Sequence, residues 1–283
     1  MEELAAKYVL FDFEIIVLST LVLGIAVYEV LRRIRGRTAL KPQYFDRIDL
    51  LLMLFPAFIY LVNPILAVLI EIPEVDPNEI SETNQILMML VNIGVVGFVG
   101  VLTYAILAWG RGQRVREVCG LYRMTFPMIV VFTILGGIIA VFLCNVLLGG
   151  LSQNFLDGIF GELDEQEPVE MFKDSTSTLH LGLSIIAACI AAPLVEEFLF
   201  RGYMYGVVKK YTSPIFAAVV VGAIFAVAHS NLPALLPLWV FALFLTLAYE
   251  ITGCLWVPVG IHAFFNTANV VLLLNQPSPV DKI

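Results

Sequence analysis

The sequence predicts an all-α fold, a polytopic membrane helix bundle of about eight transmembrane helices, and three observations carry that reading. Of the 283 residues, 60% are hydrophobic and only 14% are charged, against about 25% charged in a soluble domain. The apolar residues gather in runs near the roughly 20 residues that cross a bilayer. The basic residues, finally, collect in alternate loops, which is the pattern that orients a multi-pass protein.

Taken in order, the runs fall at 11–31, 50–70, 86–109, 127–148, 181–208, 214–230, 234–251 and 255–274. The first follows Met1-Glu2-Glu3 rather than a basic leader and is itself followed by arginines, so it reads as a retained anchor. Arg32, Arg33, Arg35, Arg37, Lys41 and Arg47 follow the first run; Arg111, Arg114, Arg116 and Arg123 follow the third; Lys209 and Lys210 follow the fifth. Those are twelve of the 16 Lys and Arg, and the positive-inside rule makes their loops cytoplasmic and both termini external. The opposite loops hold the acids, from Glu71 to Glu82 and from Asp157 to Asp174, and account for the net charge of −8. Nothing in that balance supports a nucleic-acid partner. The lipid bilayer is the partner implied, with an integral multi-pass location, in the plasma membrane for a prokaryotic source. Cys119, Cys144, Cys189 and Cys254 have no metal-ligand spacing and read as reduced packing residues. The chain divides into N-terminal helices with basic loops over 1–150, an acidic extramembrane loop over 151–179, and a chemistry-bearing bundle over 180–275.

That bundle opens on Pro193-Leu194-Val195-Glu196-Glu197-Phe198-Leu199-Phe200-Arg201. Ionisable groups at bilayer depth are costly and persist where they face a protein interior or wet cavity with partners. Glu197 and Arg201 stand four residues apart, acid first, the favourable order for an ion pair along one face. Glu196 points about 100° away and needs a partner from another helix. The break at Tyr211-Thr212-Ser213-Pro214 and the next run, ending at His229, offer one. In an antiparallel pair Glu196 and His229 would both lie about 22 Å from the turn, at roughly 1.5 Å per residue. His229 is one turn after Phe225, and His262 shares a helical face with Asn266. His180, at the mouth of the fifth run, reads as a packing residue.

The set Glu196-Glu197-x-x-x-Arg201, Phe225-x-x-x-His229 and His262-x-x-x-Asn266, in that order, resembles the CPBP family. That family holds the type II CAAX prenyl proteases and the bacteriocin-processing or immunity proteins, also called Abi. The resemblance covers residues 180–275 and implies an intramembrane endopeptidase. It implies that Glu196 and His229 activate a water, that His262 and Asn266 form the oxyanion site, and that Glu197, Arg201 and Phe225 support them. General chemistry agrees with these roles. A carboxylate in a low-dielectric pocket is a stronger base than one in water, and preorganised donors in a dry site are worth about 2.7–4 kcal/mol each.

The sequence has no H-E-x-x-H, and using all of Glu196, Glu197, His229, His262 and Asn266 as ligands would leave no obvious general base; a metal-dependent site would take Glu196, His229 and His262. The expectation is therefore a glutamate-type hydrolase without a cofactor, with a zinc protease as the alternative. Two other functions stay open: a proton-coupled transporter, which also uses buried Glu, Arg and His, and a non-catalytic bacteriocin-immunity protein. For the hydrolase the partner is a peptide or protein substrate, a prenylated C-terminal tail being the best-known class for the family.

Overall fold

The computed structural model describes residues 44–69, 82–150, 152 and 178–275. The apolar run at 11–31, the basic loop up to Lys41 and nearly all of the acidic loop lie outside these residues. Among the described residues every regular element is a helix. In chain order these are α1 (Arg47–Leu52), α2 (Leu54–Leu69), α3 (Glu82–Ala105, continued by π-helical Ile106–Gly110), α4 (Val115–Val118), α5 (Phe126–Gly149), α6 (Thr178–Tyr211), α7 (Pro214–Val227), α8 (Leu232–Thr252) and α9 (Trp256–Leu274).

Five helices are long and apolar enough to cross a membrane, over Ile86–Gly110, Phe126–Gly149, Thr178–Tyr211, Leu232–Thr252 and Trp256–Leu274. The chain is an integral, multi-pass membrane protein. Two expected spans come out shorter. The run at 50–70 is broken at Met53 into α1 and α2, and α1 starts at Arg47, where Asp46 caps it through a capping box closed by Asp49. The run at 214–230 yields only the 14 residues of α7, since Ser230 takes a left-handed φ of 51° and Asn231 caps α8 through Ala234 N at 2.6 Å.

Capping chemistry places the helix ends around the chemistry-bearing segment. Ser213 accepts from Phe216 N at 3.1 Å with Pro214 behind it, starting α7 where α6 stops. Gly253, at φ 61°, closes α8 and donates to Tyr249 O at 2.7 Å, the left-handed end for which glycine is suited. Gly120, at φ 62°, lies against it so closely that a Cβ there would stand 1.9 Å from Gly253 O. Leu255 N then donates to Cys119 O at 3.1 Å, which ties the start of α9 to the loop after α3. Further along, α9 seats on α5 where Gly260 leaves room for Thr133, and where Gly136 and Gly137 leave room for Ile261 and Phe264.

Several described residues of the basic loops are bonded to their neighbours. Arg111 pairs with Asp46 and holds its carboxyl below the usual aspartate range; Gln113 donates to Tyr44 O at 2.5 Å; Lys210 donates to Phe45 O. Lys209, counted among the loop cations, is buried and paired with Glu250. Ser152, expected at the start of an extramembrane loop, is buried and donates to Pro233 O at 2.7 Å. All four cysteines are free and buried, and burial pushes the Cys119 thiol up to about 12.

Candidate active site

The two carboxylates sit on a single α-helical turn between two π-helical stretches of α6. Ala187–Ala191 precedes Ala192–Glu197, and Phe198–Met204 follows it. A π segment bonds i to i+5, so it shifts the side chains after it around the helix and frees backbone carbonyls, which is why such segments gather at functional sites. Here the freed neighbourhood includes Ala188 O, which accepts from Asn266 Nδ2 at 2.8 Å.

The expected intrahelical pair is present, with Arg201 Nη1 donating to Glu197 Oε1 at 2.8 Å and both side chains buried. The same oxygen of Glu197 lies 2.8 Å from His262 Nδ1. An acceptor-only carboxylate at that distance places the ring proton on Nδ1, which aims Nε2 the other way. Nε2 is 4.0 Å from Glu196 Oε2. That gap is too long for a direct hydrogen bond and short enough for one bridging oxygen. A second donation, from Arg201 Nη2 to Ala242 O at 3.2 Å, fixes the guanidinium against α8.

Phe225 is the hub on which the remaining groups meet. Its ring lies 4.6 Å from the Arg201 guanidinium carbon, 4.8 Å from the His229 ring and 5.8 Å from the His262 ring. The two imidazoles therefore flank one aromatic side chain although α8 separates them in sequence. His229 is held through Nδ1 to Phe225 O at 2.8 Å and is exposed, whereas His262 is buried. The structure thus sets His262, not His229, as the imidazole within 4.0 Å of Glu196. His180 is buried on the first turn of α6.

Three residues around the site carried no sequence signal. Phe241 stacks edge-on to His262 at 5.4 Å, Ala242 contributes only its carbonyl, and Tyr60 of α2 packs on Phe200 at 4.9 Å with its hydroxyl buried and without a partner. Buried atoms without partners also include Glu196 Oε2, Glu197 Oε2 and Arg201 Nε, so the cluster retains acceptor and donor capacity. Among the described residues no three His, Cys, Asp or Glu side chains form a group that could hold a metal ion, and Nδ1 of both histidines is engaged, which leaves Nε2 as the second nitrogen of each ring. What the arrangement can do is move a proton. It offers a carboxylate with an unspent oxygen, an imidazole oriented by a second carboxylate, and an amide within an apolar wall.

Residues 178–268 match the family described as type II CAAX prenyl endopeptidase, Rce1-like. That match supports the resemblance to the CPBP family over this segment, about a third of the chain. The matched segment contains Glu196, Glu197, Arg201, Phe225, His229, His262 and Asn266. The chain is also similar to a Bacillus subtilis (strain 168) protein named "Putative membrane peptidase YdiL", 28% identical over 136 residues that make up 48% of this chain and 55% of that protein. The match thus spans about half the length of that relative. No solved structure matches the chain.

Proposed function

We propose that this site is an intramembrane endopeptidase of the glutamate type. The observation that carries the reading is Glu197 Oε1 holding Arg201 and His262 together, which leaves His262 Nε2 facing Glu196 across 4.0 Å. Glu196 takes a proton from water as the water oxygen bonds to the scissile carbonyl carbon, with His229 as the second group holding that water. The second N–H of Asn266 meets the developing oxyanion, and His262 joins it as the imidazolium, whose Nε2–H donates while Nδ1–H stays on Glu197. The C–N bond then breaks, the proton on Glu196 passes to the leaving nitrogen, and a carboxylate and an amine depart. Glu197 and Arg201 position His262 and hold its Nδ1 proton. No step passes through a metal, and the zinc alternative is tested by elemental analysis of the purified protein.

The reading is tested in cells carrying the wild type or Glu196→Gln, by mass spectrometry of new C-terminal fragments. A set of fragments present with the wild type and missing with Glu196→Gln supports it, and identical fragments in both overturn it. A bacteriocin-immunity role without catalysis would leave protection intact in Glu196→Gln. The substrate belongs to the same proposal: a membrane-associated peptide, of which a prenylated C-terminal tail is one class.

A further inference from the structure

The polar face of α9 continues past the residues used above. His262, Asn266 and Asn269 follow at i, i+4 and i+7, spacings that share one face of an α-helix. Burial relaxes along that face: His262 is buried, and Asn266 and Asn269 are half-buried. Polar groups from two flanking helices reach it. On one side α6 presents Ala188 O to Asn266. On the other, α5 presents Asn145, whose Nδ2 donates to Asn269 Oδ1 at 2.5 Å. Both contributors sit in π-helical stretches, Ala187–Ala191 and Phe142–Gly149. The line runs from the buried cluster toward the Leu274 end of α9, away from the end where Leu255 is tied to Cys119.

The amide pair is only partly used by its mutual bond. Each Asn carries two N–H donors and one carbonyl acceptor, so a single bond between them leaves both kinds of group to spare, and exchanging O and N on either amide does not alter that. Donor and acceptor side by side are what the backbone of an extended chain offers and needs. Seven residues of α-helix rise about 10 Å, which equals three residues of extended peptide at about 3.3 Å each.

We infer that Asn145 and Asn269 form a subsite that binds the substrate backbone about three residues from the scissile bond. The inference rests on the proteolytic reading for the identity of the ligand, a peptide in extended conformation. The subsite explains why half-buried amides are carried on an apolar helix pair. It also makes the side of α9 remote from the basic loops the substrate-binding side.

The experiment uses the full chain, purified in detergent, and a library of peptides from a protease digest of membrane proteins. Two readouts are taken: retention of peptides on immobilised Glu196→Gln, and cleavage by the wild type. Each is repeated with Asn145→Leu/Asn269→Leu, in which both partners become apolar groups of similar shape so that stability changes little. The wild type is expected to favour peptides that extend three or more residues from the cleaved bond on one side, by about 3–10-fold, the effect of about one net hydrogen bond. The double variant is expected to lose that preference through a raised KM, and the Glu196→Gln background to lose the matching retention. Retention that depends on the amide pair without wild-type cleavage would strike down the proteolytic reading and leave the subsite standing. A double variant that keeps the length preference and the retention, or a library of which nothing is retained, overturns the subsite. A change in melting temperature alone would show the pair to be a structural link between α5 and α9, and would overturn it too.

Discussion

Two buried ion pairs involve the same helix, α6, and only one of them adjoins the proposed active site. Glu197 and Arg201 are followed by Tyr205 and Lys209, all at four-residue steps along α6. A step of four lies between the 3.6 residues of an α turn and the wider π turn, so the π-helical stretch Phe198–Met204 keeps these side chains on one face over three turns. That face meets α8. At its far end Glu250 receives Lys209 Nζ, and Tyr205 Oη at 2.7 Å, on a single oxygen. At its near end Glu197 receives Arg201 and His262 on a single oxygen. The acids are equally buried and equally paired. The difference lies in the third group: a phenol closes the Glu250 cluster, whereas an imidazole opens the Glu197 cluster onto Glu196. Burial of a charge therefore marks neither cluster as a site; the titratable neighbour does.

The largest effect that sharpens this contrast is on turnover. Glu196→Gln is expected to lower kcat by about 10²–10⁴, the range for a positioned acid–base group. Its unfolding midpoint should match the wild type, because Glu196 carries no intrahelical partner. Glu250→Gln reverses the pattern: kcat per folded molecule is kept and the midpoint falls. Next comes Asn266→Ala, with kcat lower by about 10²–10³ and substrate affinity nearly intact. Asn266→Asp should be at least as damaging, since it presents negative charge to an oxyanion; steady-state kinetics on purified protein check both.

The pairs themselves give the third effect. Stranding one member of a buried pair costs about 3–5 kcal/mol, so Glu197→Gln and Glu250→Gln should each lower folded yield, read by thermal or denaturant unfolding. The smallest expected effect is that of chelation. Prolonged dialysis against a strong chelator should leave activity unchanged, and about one tightly held zinc per chain, lost together with activity, would reassign Glu196, His229 and His262 as ligands.

Much of the near cluster was legible because its signals are local. The Glu197–Arg201 pair follows from spacing four on an apolar helix, and the all-α bundle follows from run lengths and the clustering of charge. The link from Glu197 to His262 was not legible, since it spans 65 residues and depends on how α6 and α9 cross. Counting residues through the α6–α7 turn brought His229 to the depth of Glu196, but depth says nothing of rotation about the helix axis; His229 instead turns onto Phe225. Lys209 was misplaced for a related reason. A lysine at a helix end reads as a loop cation, and its burial is visible only once Glu250 is opposite. The π-helical stretches leave no trace in apolar periodicity, because they change hydrogen-bond partners over a few residues without changing composition.

The most direct test compares two apolar replacements of a whole pair, Lys209→Met/Glu250→Leu and Arg201→Met/Glu197→Leu, each purified as full chain. Replacing both partners of a buried pair is often neutral or stabilising, so each is expected to fold, and melting temperature verifies it. Cleavage of the same peptide library is then measured. The account predicts that the first variant keeps wild-type turnover, while the second falls by at least about 10², because His262 has lost the carboxylate that orients it. Equal loss in both variants, or wild-type turnover in the second, would contradict it.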